Sequence, residues 1–282
     1  RNKSWQQAEY LLRRFMIPKL GGRRLQDIRR REIRALVRDL TESRGPILAN
    51  QVLAATSRVF GWAIANEVAA ISANPCAGIE RNPTKSRERI LSEKEIPLFW
   101  NATDDVGLIR GRALRLILLT GQRPGEVRHM RREHIQDGWW TLPGEPDERL
   151  GWPGTKNSQA HRVWLTEPAL AIIHELGDGD AGYVFGGSRG GPIAGLDVAM
   201  RAINVAMGIE KPDKVTPHDL RRTHGTLVTS LGFTRDQMNR LQNHKEGGIA
   251  SVYDRHSYSD ELRSIQQAVA ARLAELVAVT CV

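Results

Sequence analysis

The sequence predicts a mainly α-helical protein with a small antiparallel β-sheet, divided into two domains. Three observations carry this. Apolar residues recur at helical spacing through most of the chain. Two short aromatic and β-branched runs, 139–142 and 161–165, flank a stretch with turn chemistry. Between 80 and 91 the chain reads ERNPTKSRERIL, which has no apolar face to bury. The expected division is a helical domain over 1–82, a linker over 83–91 and a larger α+β domain over 92–282.

The elements follow in order. Trp5, Ala8, Leu11, Leu12, Phe15 and Met16 mark a first helix, which Pro18 is expected to stop. Ile28, Ile33, Leu36, Val37 and Leu40 mark a second, with Arg30, Arg31, Arg34 and Arg38 mostly on its polar side. A third runs over about 47–68. Ser92 and Glu95 have capping-box spacing and open the second domain. Residues 113–119 read as a buried helix that runs into a turn and short helix at 120–126. Lys156 lies where a hairpin turn belongs, ahead of the 161–165 strand. Helices are expected near 167–176 and 196–207, and the tail over 260–279 forms a terminal amphipathic helix through Leu262, Ile265, Val269, Leu273 and Leu276.

Lysine and arginine total 41 against 32 acidic residues, a formal charge of +9. That excess points to a polyanionic partner, with nucleic acid first among them. Most of the cations are arginines, whose forks suit phosphate. Cys76 and Cys281 are the only cysteines, so a disulfide framework or cysteine zinc site is not expected, in keeping with a reducing bacterial cytoplasm. No signal peptide or membrane-spanning apolar run is present, so no membrane partner is expected.

The densest chemistry lies between Thr216 and Tyr258. Thr216, Pro217 and Asp219 make a helix start, with a cap, a first-turn proline and a returning carboxylate. His218 and Arg221 then fall on neighbouring lines of one face, beside a core-facing side of Leu220, His224, Leu227, Val228 and Leu231. A helix N-terminus bearing an imidazole and a guanidinium suits a phosphate. An isolated HxxR is more often plain surface charge, and the surroundings decide. Here His244 follows at a helix end near Asn243, and Tyr253 comes nine positions after it. Histidines 161, 224 and 256 are read as structural or phosphate-contacting, and the histidine spacings match no common zinc pattern.

With those residues in place, the chain resembles the tyrosine recombinases, the phage-type integrase family of prophages and genomic islands. The phrases LTGQRPGEV, TKNSQAHRVWL and HDLRRTHGT carry the likeness, and it extends over both domains. The resemblance implies a helical core-binding domain plus an α+β catalytic domain, closing on DNA as a C-shaped clamp. It implies no metal and no cofactor, and a site of Arg123, Lys156, His218, Arg221, His244 and Tyr253, with Glu126 in support. Tyr253 is the expected nucleophile, Arg123 and Arg221 the groups that neutralise the phosphate, and His244 a further hydrogen-bond donor. His218 is the expected proton acceptor, and Lys156 the acid for the leaving 5′ oxygen.

The implied partners are double-stranded DNA at attachment sites, a homo-tetramer on that DNA, and accessory DNA-bending proteins. The family often passes its last helix to a neighbouring subunit, and the same amphipathic helix could equally cover its own core. The family also often carries an N-terminal arm-binding domain, and this chain opens on Arg1, where the core-binding domain begins. Rival readings are a type IB topoisomerase, a chromosome-dimer resolvase, and a catalytically silent DNA-binding protein of the same fold. Tyr258, five positions after Tyr253, is the rival nucleophile.

Overall fold

The computed structural model describes residues 5–68, 70–177, 182–244 and 258–278, and the chain folds as two compact units, Arg1–Arg87 and Glu88–Val282. The first is helical. Helix α1 (Trp5–Leu11) continues through a π-type turn (Leu12–Met16) into α2 (Ile17–Leu20). The sequence expectation that Pro18 stops the helix is therefore corrected. Proline cannot donate to the ladder and its ring crowds the preceding turn, and a widened turn accommodates both effects without ending the rod. Helices α3 (Arg30–Arg44) and α4 (Pro46–Ala65) follow, joined by Gly45 alone. Its φ of +93° is open to glycine and closed to most side chains, and Pro46 then starts α4 with a preset φ. Ile33, Leu36, Val37 and Leu40 of α3 meet Val52, Leu53 and Phe60 of α4, together with Leu11, Met16 and Leu20.

The second unit begins with residues fastened to it. Leu91 is 3% exposed and its amide donates to Thr223 Oγ1 at 2.8 Å, while Arg89 pairs with Glu95. Glu95 also accepts from the Ser92 amide at 2.8 Å, the reciprocal half of the capping box, and starts α5 (Glu95–Ala102). The centre of the unit is α6 (Leu108–Thr120), in which Ala113 to Thr120 are buried without a break. One of them, Arg115, is carried inward by hydrogen bonds to Thr103 Oγ1 and Trp100 O and an ion pair with Asp104. A buried guanidinium is tolerated when its donors are all engaged.

Helix α7 (Pro124–Arg128) leads to the sheet, whose strands β1 (Ile135–Gln136), β2 (Trp139–Leu142) and β3 (His161–Trp164) pair antiparallel in that order. Trp140 pairs with Val163, which puts both inside. The strand β1 was not anticipated. It is two residues long and exists because Asp137-Gly138, both at positive φ, fold it back on β2 as a two-residue hairpin. Helices α8 (Glu167–Glu175), α9 (Leu196–Ala206), α10 (Pro217–Ser230), α11 (Arg235–Leu241) and α12 (Ser259–Ala278) complete the unit. In α12, Ile265, Val269 and Leu273 join the core of their own unit, and Gln266 Nε2 donates to Thr120 O at 3.0 Å. Among the described residues no helix is long and apolar enough to cross a membrane.

Helix α10 lies against α6, and His224 is the polar contact within that packing. It is fully buried, and its Nδ1 lies 3.0 Å from the Leu118 carbonyl. A carbonyl accepts, so Nδ1 carries the hydrogen. Burial pushes the imidazole down to about 4, with the Arg221 charge adding to the effect. The folded pKa lies below the unfolded one, so the stabilisation is complete above about 6.5 and is lost as pH falls toward 4. Denaturant titrations at pH 7 and pH 5 should differ by about 2 kcal/mol from this residue. That difference should shrink in His224→Phe; an unchanged pH dependence would remove His224 from the account.

Candidate active site

Three chain segments place Arg123, His218, Arg221 and His244 around one end of α6. The first is the turn after it. Gly121 ends α6 in the left-handed region, at φ +67°, where a Cβ would also stand 2.3 Å from His224 Cδ2. Gln122 follows fully buried, and its Nε2 donates to Thr120 O at 3.1 Å and Leu241 O at 2.9 Å. Arg123 then caps α7, and the buried Glu126 accepts both its amide, at 3.2 Å, and its Nη1, at 2.9 Å. Arg–Pro–Gly–Glu thus folds the guanidinium back over its own helix start.

The second segment is the start of α10. Asp219 accepts from both the amide and the hydroxyl of Thr216 at 2.8 Å, as the capping spacing anticipates, and is paired with Arg222. His218 is exposed on the first turn. Arg221 does not border the core-facing side of the helix, as expected from spacing. It is buried, 6% exposed, whereas Leu231, expected inside, is 38% exposed. The reason is the company the guanidinium finds. Its Nη1 donates to Gly121 O at 2.8 Å and its Nη2 to Gln242 O, each at the carbonyl end of a helix. Helix C-termini carry partial negative charge, so a cation can be buried there without a carboxylate.

The third segment is the end of α11. The Asn243 amide bonds Arg240 O at 3.0 Å and the His244 amide bonds Asn239 O at 2.9 Å, with Asn243 at φ +49°. This is a Schellman ending with asparagine at the left-handed position. It leaves the carbonyls of Leu241, Gln242 and Asn243 to other donors. Leu241 O receives Gln122 and His161 Nε2, Gln242 O receives Arg221, and Asn243 O receives Arg123 Nη2 at 2.9 Å. His244 projects from this corner, exposed, with Nδ1 3.1 Å from Asn239 Oδ1.

The charge balance follows. Arg123, Arg221 and Lys156 face Glu126, since Asp219 is taken by Arg222. Burial, then the nearby Arg123 charge, pushes Arg221 down to about 9, so it remains a cation at neutral pH. His218 is held below its ordinary value by burial and then by Arg221, Arg222 and Lys156. His161 is pushed down to about 4 chiefly by burial. His244 is depressed by burial and by Arg221 and Arg123. Neutral imidazoles beside an excess of fixed positive charge describe a site awaiting an anion.

Lys156 is in the turn at 155–158, close enough to repel a proton on His218, but that turn closes an extended excursion between β2 and β3 rather than a tight hairpin. Tyr253 and His256 lie outside the described residues. Tyr258 is described at the start of α12, with the Arg240 guanidinium 4.0 Å from its ring centre. Sequence reasoning assigned no task to Gln122, Asn157, Gln242 or Asn243. Gln122 and Asn157 adjoin expected site residues, a signal that was available, whereas the accepting carbonyls leave no trace in residue identity.

The helices and the three-stranded sheet have the fold of a tyrosine recombinase catalytic domain with its helical companion. The chain belongs to the phage integrase family: that family's model matches residues 89–260, and the phage integrase central domain matches 1–82. A lambda integrase dimer bound to a COC′ core site is similar over 87% of this chain and 89% of its own, at 19% identity and a TM-score of 0.69. A lambda integrase tetramer bound to a Holliday junction is similar over 92% and 75%, at 18% identity and a TM-score of 0.70. The Tn1549 transposon integrase in complex with a circular intermediate DNA is similar over 95% and 94%, at 16% identity and a TM-score of 0.66. Comparison with curated proteins gave no match.

The depressed imidazoles give a direct test of the pocket's field. In the protein without DNA, the His244 ring should titrate well below 6.5 by NMR. Arg123→Gln should move it upward, because removing a neighbouring cation favours the protonated ring. An ordinary midpoint near 6.5 that ignores Arg123 would contradict the geometry.

Proposed function

We propose that the chain is a site-specific DNA recombinase that integrates or excises a mobile element through a covalent 3′-phosphotyrosyl intermediate. The observation that carries this reading is the pair Arg123 and Arg221, anchored on main-chain carbonyls and, among the described residues, opposed by the single carboxylate of Glu126. Guanidiniums held this way are preorganised for the non-bridging oxygens of a phosphodiester, where negative charge grows in the transition state.

Tyr253 attacks phosphorus through its phenolic oxygen. The O–P bond forms as the bond to the 5′ oxygen breaks, so the energy of the linkage is retained for rejoining. The phenolic proton passes to His218, whose depressed pKa leaves it neutral and able to accept. The 5′ oxygen takes a proton from Lys156. In the reverse step the 5′ hydroxyl of a new strand attacks the phosphotyrosine and the protons return. His244 supports a non-bridging oxygen. Its Nδ1 lies 3.1 Å from Asn239 Oδ1, which fixes the direction of the ring.

The partner is double-stranded DNA, and the working assembly a homo-tetramer on two duplexes. The lambda integrase complexes, a dimer on a core site and a tetramer on a Holliday junction, support both.

A nicked suicide duplex spanning the junction of element and host should trap a covalent protein–DNA adduct. Tyr253→Phe should form none while still binding. No adduct with the unaltered protein would end the enzymatic reading, and an adduct surviving in Tyr253→Phe would transfer the role to Tyr258. Binding should also fall by roughly 10³-fold or more between 50 and 200 mM salt, as expected for six or more phosphate contacts. A flat salt response would contradict recognition through the backbone.

A further inference from the structure

Lys156 sits at the end of a long excursion, and a general acid is useful only within hydrogen-bond reach of the atom it protonates. Strands β2 and β3 are joined by residues 143–160, and only a short bridge between Asp147 and Trp152 interrupts them. Among the described residues the Lys156 ammonium makes no hydrogen bond or ion pair, and the side chain is exposed. Something other than the lysine must hold the turn in place.

The next residue is built to do so. Asn157 Nδ2 donates to Asn243 Oδ1 at 2.9 Å, and Asn243 Nδ2 returns a bond to Asn157 Oδ1 at 3.3 Å. Asn157 Nδ2 also reaches Asn243 O at 3.3 Å, and Asn243 Nδ2 reaches Gln159 O at 3.4 Å. Within the turn, Asn157 Oδ1 takes the Thr155 hydroxyl at 3.1 Å and the Gln159 amide at 3.3 Å. The pair is reciprocal, and both amides spend donors and acceptors on each other and on the turn. Asn243 is also the left-handed corner of α11, whose carbonyl holds Arg123. The lysine turn therefore hangs from the residue that sets one of the phosphate-facing arginines.

We infer that Asn157 and Asn243 are positioning residues for the acid step: their amide pair latches the Lys156 turn to the arginine corner, so that the lysine meets the leaving 5′ oxygen. The inference rests on the reading of Lys156 as that acid. Neither asparagine touches the reacting atoms. Several hydrogen bonds acting together make a latch of this kind worth roughly 10- to 100-fold in rate. Displacement of a reacting group by an ångström has a comparable effect.

The test compares two suicide duplexes across the host–element junction, one natural and one with sulfur in place of the bridging 5′ oxygen. A thiolate leaves without needing a proton, because a thiol is far more acidic than an alcohol. Lys156→Ala should be slow on the oxygen duplex and near the unaltered rate on the sulfur one. Asn157→Ala should show the same profile in weaker form, roughly tenfold or more on oxygen and within about threefold on sulfur. Asn243→Gly should match it, since glycine suits φ +49° and keeps the carbonyl that holds Arg123.

If Asn157→Ala is equally slow on both duplexes, or unimpaired on both, the latch is overturned while the role of Lys156 stands. If sulfur does not repair Lys156→Ala, Lys156 is not the acid, and the reading and the latch fall together.

Discussion

The structure of the site depends on how α11 ends. Its last carbonyls, Leu241, Gln242 and Asn243, are left without helical partners by the Schellman turn, and each is taken by a side chain that matters to the pocket. Helix ends always leave such acceptors, and water usually fills them. Here guanidinium, amide and imidazole groups fill them, from segments more than a hundred residues upstream in the case of Gln122 and Arg123 and from α10 in the case of Arg221. Gly121 supplies the matching acceptor from the end of α6. Two helix C-termini thus converge on Arg221.

This arrangement decides the electrostatics. Carbonyl dipoles fix the arginines in direction without cancelling their charge, as a carboxylate partner would. Among the described residues, carboxylate support is confined to Arg123, through Glu126. Burial first, and then this unspent charge, hold the neighbouring histidines below their ordinary pKa. Preorganisation of this kind costs little at the moment of reaction, because the donors have already been oriented by folding. The cost appears instead as the depressed pKa of Arg221, pushed down to about 9 by burial and by Arg123.

Much of this was legible in the sequence, and for definable reasons. Thr216, Pro217 and Asp219 announce a helix start because capping is local chemistry, and the start lies where they place it. The apolar run at 113–119 announces a buried helix because burial is written in composition. The order Arg123, Lys156, His218, Arg221, His244, Tyr253 carries a family resemblance. What was not legible depends on main-chain partners or on contacts between distant segments. Arg221 reads as a border residue because nothing in its helix face reveals the carbonyls of Gly121 and Gln242. Asn157 reads as a turn residue because its partner is 86 positions away. Pro18 reads as a stop because a π-type turn has no sequence signature of its own.

The central claim is that carbonyl-anchored arginines, rather than positive charge as such, make the phosphate site. Arg221→Lys keeps the charge, but a single ammonium cannot span Gly121 O and Gln242 O while presenting a fork outward. Cleavage of a suicide duplex and equilibrium binding of the same duplex should be measured side by side. The account predicts cleavage reduced by about 100-fold or more, the scale of losing an oriented donor, with the dissociation constant changed by no more than about threefold. Cleavage retained by the lysine, or binding and cleavage lost in equal measure, would contradict it.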